Sequence, residues 1–156
     1  MRWIRLRMIT VLAVAWLLGA APLLAADPPT GDPKALPFKV LAGGSAPGQQ
    51  SAGFFSARDE KTLEQIWSDL HLEGRIPKVN FNRRMVVAWV GGGVACDGYK
   101  LVHVREYANE VSLEIEHSHP KPQEMCIAIY APTHLVAAIP QTTKPIKFTL
   151  TESPRT

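Results

Sequence analysis

The sequence predicts an α+β domain: a mostly antiparallel β-sheet or sandwich of seven or eight strands with one packed amphipathic helix. Three observations lead there. The chain of 156 residues is 46% hydrophobic and 20% charged, enough apolar material for one packed core and too short for two domains of ordinary size. Its 13 Pro and 11 Gly punctuate it into short segments, as a turn-rich β fold requires. A clear helical period occurs in a single stretch, whereas several other runs alternate or are continuously apolar.

Arg2, Arg5 and Arg7 precede an uncharged apolar run from Met8 to Ala26. This is the layout of a secretory signal peptide, expected over residues 1–26 with cleavage after Ala26. Gly19, Pro22 and the following Asp27-Pro28-Pro29 argue against a retained spanning helix. The expected location is periplasmic or secreted, with no membrane association after cleavage. Residues 27–37 read as a flexible Pro-rich leader, 38–150 as the folded domain and 151–156 as a tail.

Within the domain, Phe38 to Leu41 is expected to be a short strand, and 42–53, small and glycine-rich, a flexible loop. Phe54-Phe55 resumes the core as a strand. Glu60 to His71 is the predicted helix, with Asp59 as N-cap and Leu63, Ile66, Trp67 and Leu70 forming one apolar stripe. Trp67 reads as a core anchor. Lys78 to Phe81 and Met85 to Val90 follow as strands, the second so continuously apolar that it should be central and covered on both faces. Gly98 to Tyr107 and Val111 to His119 form a predicted hairpin turning at Ala108-Asn109. If Tyr107 faces Glu110, Val104 faces Leu113, Val102 faces Ile115 and His103 faces Glu114. Cys126 to Tyr130, His134 to Ile139 and Ile146 to Leu150 complete the strands.

Composition also excludes function classes. Removal of residues 1–26 takes three Arg and no acidic residue, leaving 14 of the 17 Lys plus Arg against 14 Asp plus Glu. A chain without net positive charge, with no basic cluster stronger than Arg83-Arg84, is not built to displace counterions from phosphates, so no nucleic-acid partner is expected. Export makes one Cys96–Cys126 disulfide the default for the two cysteines. Closing that loop of about 30 residues stabilises by roughly 3 to 4 kcal/mol in the chain-entropy model.

Neither a G-x-S-x-G elbow nor a phosphate-binding glycine loop is present. Ser118, between two histidines, points to the strand face opposite theirs. No catalytic residue is therefore assigned and the chain is read as not an enzyme. His117 and His119, two apart on one strand face, are candidate metal ligands with His134 as a third. His103 falls on the opposite face, and the set reads as incomplete, with His117 and His119 as solvated strand-end residues, so no metal or cofactor is expected. The stretch Gly91-Gly92-Gly93-Val94-Ala95-Cys96-Asp97-Gly98-Tyr99 is the most unusual in the sequence. Three glycines ending a buried strand, then an Asp97-Gly98 turn, imply a sharp bend or a close backbone approach. Gly91, Gly92, Gly93, Asp97, Gly98 and Tyr99 are accordingly the candidate binding residues, beside the Pro120 to Met125 loop that the disulfide would hold next to them.

Phe55-Ser56-Ala57, the helix Leu63-Glu64-Gln65-Ile66-Trp67, the run Pro77 to Ala88, the turn ending Asp97-Gly98-Tyr99 and the run Ala131 to Val136 together resemble the C-terminal domain of the protease-complex subunit PrcB family, over Phe54 to Leu150. Asn80-Phe81 stands where that family has an aspartate-phenylalanine pair, and Cys96-Asp97-Gly98-Tyr99 where it has a threonine-glycine-glycine-tyrosine turn. The resemblance implies a noncatalytic, exported binding or adaptor module whose protein partner could be a protease. Gly98-Tyr99 is also similar to the end of the threonine-glycine-tyrosine loop of chagasin-like cysteine-protease inhibitors, which makes a protease inhibitor the alternative. A small metal-dependent hydrolase is a further alternative.

Overall fold

The computed structural model describes residues 31–45, 52–121, 125–126 and 129–153. The expected signal peptide, the start of the leader, residues 46–51 of the expected 42–53 loop and the end of the tail lie outside the described residues; residues 42–45 of that loop are strand instead, because they pair with the strand that holds Thr133 to Val136.

Eight strands and one helix follow the chain as β1 (Lys34–Ala35), β2 (Lys39–Ser45), β3 (Gly53–Ala57), α1 (Glu60–Asp69), β4 (Arg84–Val94), β5 (Gly98–Glu106), β6 (Val111–Ser118), β7 (Tyr130–Pro140) and β8 (Ile146–Glu152). They form two four-stranded sheets, ordered β1-β5-β6-β8 and β2-β7-β4-β3. The pairings are antiparallel except that β8 runs parallel to β6. The fold is thus the expected β-rich α+β class.

β4 explains the layering. Its residues from Met85 to Gly91 are buried without interruption, because β4 lies between β7 and β3 and is covered on both faces. Met85, Val87 and Trp89 point into the core between the sheets, with Leu101, Val104, Leu113 and Ile115 from the other sheet. Val86, Ala88 and Val90 point the other way, against Leu63, Ile66, Trp67 and Leu70 of the helix end. An all-apolar strand serving two cores is what a central strand in a three-layer arrangement needs. At one side of the sandwich Phe54 of β3 stacks on Phe148 of β8, ring centroids 4.6 Å apart, joining the two sheets.

The helix begins where expected: Asp59 Oδ1 accepts the Thr62 N–H at 2.8 Å. It ends two residues before His71, which adopts φ 49° and lets the Leu72 N–H reach the Trp67 carbonyl. A left-handed residue closes the last turn and stops the helix.

Four other expectations change. Lys78 to Phe81 is not a strand, because Asn80 builds a turn: its side chain accepts the Asn82 N–H and its carbonyl accepts the N–H groups of Arg83 and Arg84. Val79 and Phe81 still pack on the helix-side core, which is why the segment reads as apolar. Tyr130 to Pro140 is one strand rather than parts of two, and Cys126 precedes it. The end of the leader is not free: Lys34–Ala35 pairs with β5, and Leu36 and Phe38 pack on the inter-sheet core. The β5–β6 register matches from Tyr107–Glu110 through His103–Glu114, after which a bulge at Val102 puts Leu101 opposite Ile115. One extra residue reverses which side chains face the core. Leu101 and Tyr99 therefore turn inward, and Tyr99 falls opposite His117.

Candidate functional site

The site lies at one end of the sandwich, where β4 runs out into its turn, β5 begins, and β6 and β8 end beside it. None of Gly91, Gly92 and Gly93 has positive φ, and all three continue β4. Each instead lies under a side chain. A Cβ on Gly91 would overlap the Trp89 ring, one on Gly92 the Tyr130 ring, and one on Gly93 the Asp97 carboxylate and the Tyr99 hydroxyl. The close approach expected from the glycines exists, but to side chains, and β4 does not bend sharply there.

The reversal comes at Val94 to Asp97, where the Asp97 N–H donates to the Val94 carbonyl at 2.9 Å and Asp97 Oδ2 accepts the Val94 N–H at 2.8 Å. Asp97 closes this turn, so the turn is not centred on Asp97-Gly98. Gly98 already belongs to β5 and its φ is not positive. What holds the position to glycine is Ser118, whose Oγ lies 2.5 Å from where a Cβ would sit and donates to the Gly98 carbonyl at 3.4 Å. The Ala95 N–H donates to the Ile129 carbonyl, and Cys96 is disulfide-bonded to Cys126 with Cα atoms 5.9 Å apart. The Cys96–Cys126 pair is as expected, and a disulfide fits a chain kept out of the reducing cytoplasm. No described helix is long and apolar enough to cross a membrane.

Asp97 is the inward group of the site, its side chain only 5% exposed. Burial works against its ionisation, but the Val94 N–H, His117 and His119 outweigh it and hold the carboxyl below its ordinary pKa. His117 Nε2 lies 3.3 Å from Asp97 Oδ2, and His119 Nδ1 lies 3.2 Å from Asp97 Oδ1. The far ring nitrogens of both histidines face Glu152: His117 Nδ1 at 3.2 Å and His119 Nε2 at 3.0 Å. The His117 hydrogen bond, together with the nearby His119, holds the Glu152 carboxyl below its ordinary value, against desolvation. The two imidazoles meet edge to face, with centroids 4.3 Å apart.

Tyr99 buttresses the cluster. Its ring stacks on His117, with centroids 4.5 Å apart, and tilts against Trp89, while its hydroxyl donates to the Gly92 carbonyl at 3.3 Å. Burial, then the Asp97 and Glu152 carboxylates, raise its pKa. Asp97, Gly98 and Tyr99 also line one wall of a groove of about 450 Å3 whose other wall includes Gly43, Thr133 and Leu135.

Beside the disulfide several apolar side chains face solvent. Val94 and Tyr130 are paired across β4 and β7, Ile129 precedes Tyr130, and Met125 precedes Cys126; all four are exposed, Met125 fully.

Of the two histidines expected to be solvated, His119 is exposed, whereas His117 is partly buried with its side chain 14% exposed; the Asp97 side chain turns inward although the residue as a whole is only partly buried. His134 joins neither. It is buried on the helix side of β7, its Nδ1 without a hydrogen-bond partner among the described residues, and with Trp67 it lines a different cavity of about 530 Å3. Burial lowers its pKa. Glu152 belongs to β8 and not to the expected tail: Phe148, Leu150 and Glu152 continue one alternation, which puts it on the face of β8 beside His117.

In comparisons with known proteins, no family model matches the chain, and neither a curated protein nor a solved structure does.

Proposed function

We propose that the protein is a noncatalytic, exported binding module that captures a protein partner with the disulfide-held end of the sandwich. The observation that carries this reading is the cluster of exposed apolar side chains at Val94, Met125, Ile129 and Tyr130, grouped around the Cys96–Cys126 bridge. Apolar groups gathered at one tip, on backbone fixed by a covalent bond and a strand pair, lose little conformational freedom on binding. The resemblance to the PrcB C-terminal domain supports a protease or a protease-associated chain as the partner. The signal-like N-terminal segment and the disulfide support a periplasmic or secreted setting.

Co-purification from the exporting cell under nonreducing conditions tests the reading: a protein recovered in stoichiometric amount supports it, and catalytic turnover of a substrate by the purified chain alone overturns it. If the partner is a protease, titrating its activity separates the two modes. Activity retained or redirected identifies an adaptor, and activity lost at one equivalent identifies an inhibitor.

A further inference from the structure

Four ring nitrogens of His117 and His119 face four carboxylate oxygens of Asp97 and Glu152 at 3.0 to 3.3 Å. Two neutral imidazoles carry two N–H protons for these four contacts. Neutral rings can therefore make at most two of the four contacts as hydrogen bonds, which leaves two ring nitrogens able to bind another group. His117 Nε2 is buried and makes no well-formed hydrogen bond, although Asp97 Oδ2 is 3.3 Å away. Filling all four contacts with protons would require two cationic rings whose centroids are 4.3 Å apart.

We propose that Asp97, His117 and His119 form a binding site for one divalent first-row cation of the zinc class. Asp97, His117 and His119 each offer one ligand atom, and the three atoms lie within 4.8 Å of one another. An ion about 2.0 to 2.1 Å from each nitrogen or oxygen ligand in tetrahedral geometry separates its ligands by about 3.3 Å. Asp97 Oδ2 lies 3.3 Å from His117 Nε2 and Asp97 Oδ1 lies 3.2 Å from His119 Nδ1, so each histidine stands at that distance from one of the two carboxylate oxygens. Two imidazole nitrogens and one carboxylate oxygen are donors that zinc accepts, and three protein ligands leave a coordination position for water or for a group brought from outside.

Glu152 completes the arrangement from β8. It accepts from His117 Nδ1 and lies within reach of His119 Nε2, the ring nitrogens opposite those that face Asp97. A carboxylate on the far nitrogen fixes the tautomer, turns the ring and strengthens the near nitrogen as a ligand, the usual outer partner of a metal-bound histidine. Glu152 is thus a positioning residue. The stack of Tyr99 on His117 fixes that ring from its flat side. The cation would tie the Val94–Asp97 turn to the end of β6, next to the covalent tie at Cys96. The proposal is independent of what the apolar tip captures.

The experiment uses the full chain without a polyhistidine tag, stripped with chelator and titrated with Zn2+ by calorimetry and with Co2+ by visible absorption. The expected result is one equivalent of Zn2+, and Co2+ d–d bands of a four- or five-coordinate site. His117→Ala and His119→Ala should each weaken Zn2+ binding by 100-fold or more, and Glu152→Gln by about 10- to 100-fold. His103→Ala, on the outer face of β5, should bind like the parent. Because His117→Ala removes a partly buried ring, Glu152→Gln at a largely exposed position is the decisive variant: a folded Glu152→Gln protein with weakened Zn2+ binding and altered Co2+ bands supports the site. Parent protein that is folded and takes up no Zn2+ at micromolar concentration overturns it, as does binding that survives unchanged in Glu152→Gln and His119→Ala.

Discussion

The Tyr99 ring lies flat on the His117 ring, 3° from parallel with centroids 4.5 Å apart, across the β5–β6 pair. That stack exists because of the bulge at Val102. Without the extra residue Val102 would face Ile115, and Tyr99 would turn to the outer face of the sheet, leaving His117 without its cover. The stack connects the core to the Asp97 cluster through Trp89, Tyr99 and His117 in turn.

Asp97→Asn should destabilise the protein at neutral pH by about 1.5 to 3 kcal/mol, the range for hydrogen bonds to a charged acceptor. The pH dependence has a definite sign. The folded-state pKa of Asp97 lies below the ordinary carboxyl value of an unfolded chain, so its contribution is present above that value and lost as pH falls through the lower folded pKa. The gap between parent and variant should therefore narrow below about pH 4. Urea unfolding at neutral and acid pH checks this; a gap that widens in acid contradicts it.

Gly91→Ala and Gly92→Ala should separate sharply although they are neighbours. At Gly91 the obstructing group is the buried ring of Trp89, held in the inter-sheet core, and overpacking there costs about 1 to 3 kcal/mol. At Gly92 it is the ring of Tyr130, which is exposed and can swing aside, so the cost should stay within about 0.5 kcal/mol. Equal losses of stability for the two variants would show that the glycines act through backbone conformation instead.

Gly98→Val should destabilise by about 1 to 3 kcal/mol through its clash with Ser118, not through a left-handed backbone. Ser118→Ala in the same chain removes the obstructing oxygen and should recover part of the loss. A double-mutant cycle measures the coupling, and strict additivity would remove Ser118 as the cause.

Replacing both cysteines, Cys96→Ser with Cys126→Ser, should lower stability by about 3 kcal/mol, since the bridge closes a loop of 30 residues in sequence. The core between the sheets does not include either cysteine, so the variant should keep the parent's β-rich circular dichroism at low denaturant. Loss of the folded spectrum under those conditions would mean that the bridge is required to assemble the domain.

Much of the fold was legible because it rests on strong periodic signals. The Leu63, Ile66, Trp67 and Leu70 stripe gave the helix, and the unbroken Met85 to Val90 run marked the central strand, since both patterns follow from burial alone. The Cys96–Cys126 pair followed from there being two cysteines. The cluster was not legible, for three local reasons. The bulge at Val102 leaves no mark in the alternation of β5; Asp97 turned inward because its carboxylate caps the Val94 N–H; and the parallel pairing of β8 with β6 brings in Glu152 from 35 residues beyond His117. Asn80 misled in the opposite direction, because a turn built by its side chain lies inside a run that otherwise reads as a strand.

The central claim is that the apolar tip beside the disulfide is the binding surface. The most direct measurement is the affinity of the co-purified partner for the parent, for the double variant Met125→Ser with Tyr130→Ser, and for His103→Ser on the opposite face of β5, with each variant's fold checked by circular dichroism. Both tip side chains are exposed, so their replacement leaves the cores intact. The account predicts that the double variant loses at least 10-fold in affinity, about 1.4 kcal/mol, while His103→Ser binds like the parent. A folded double variant that binds as tightly as the parent would contradict it.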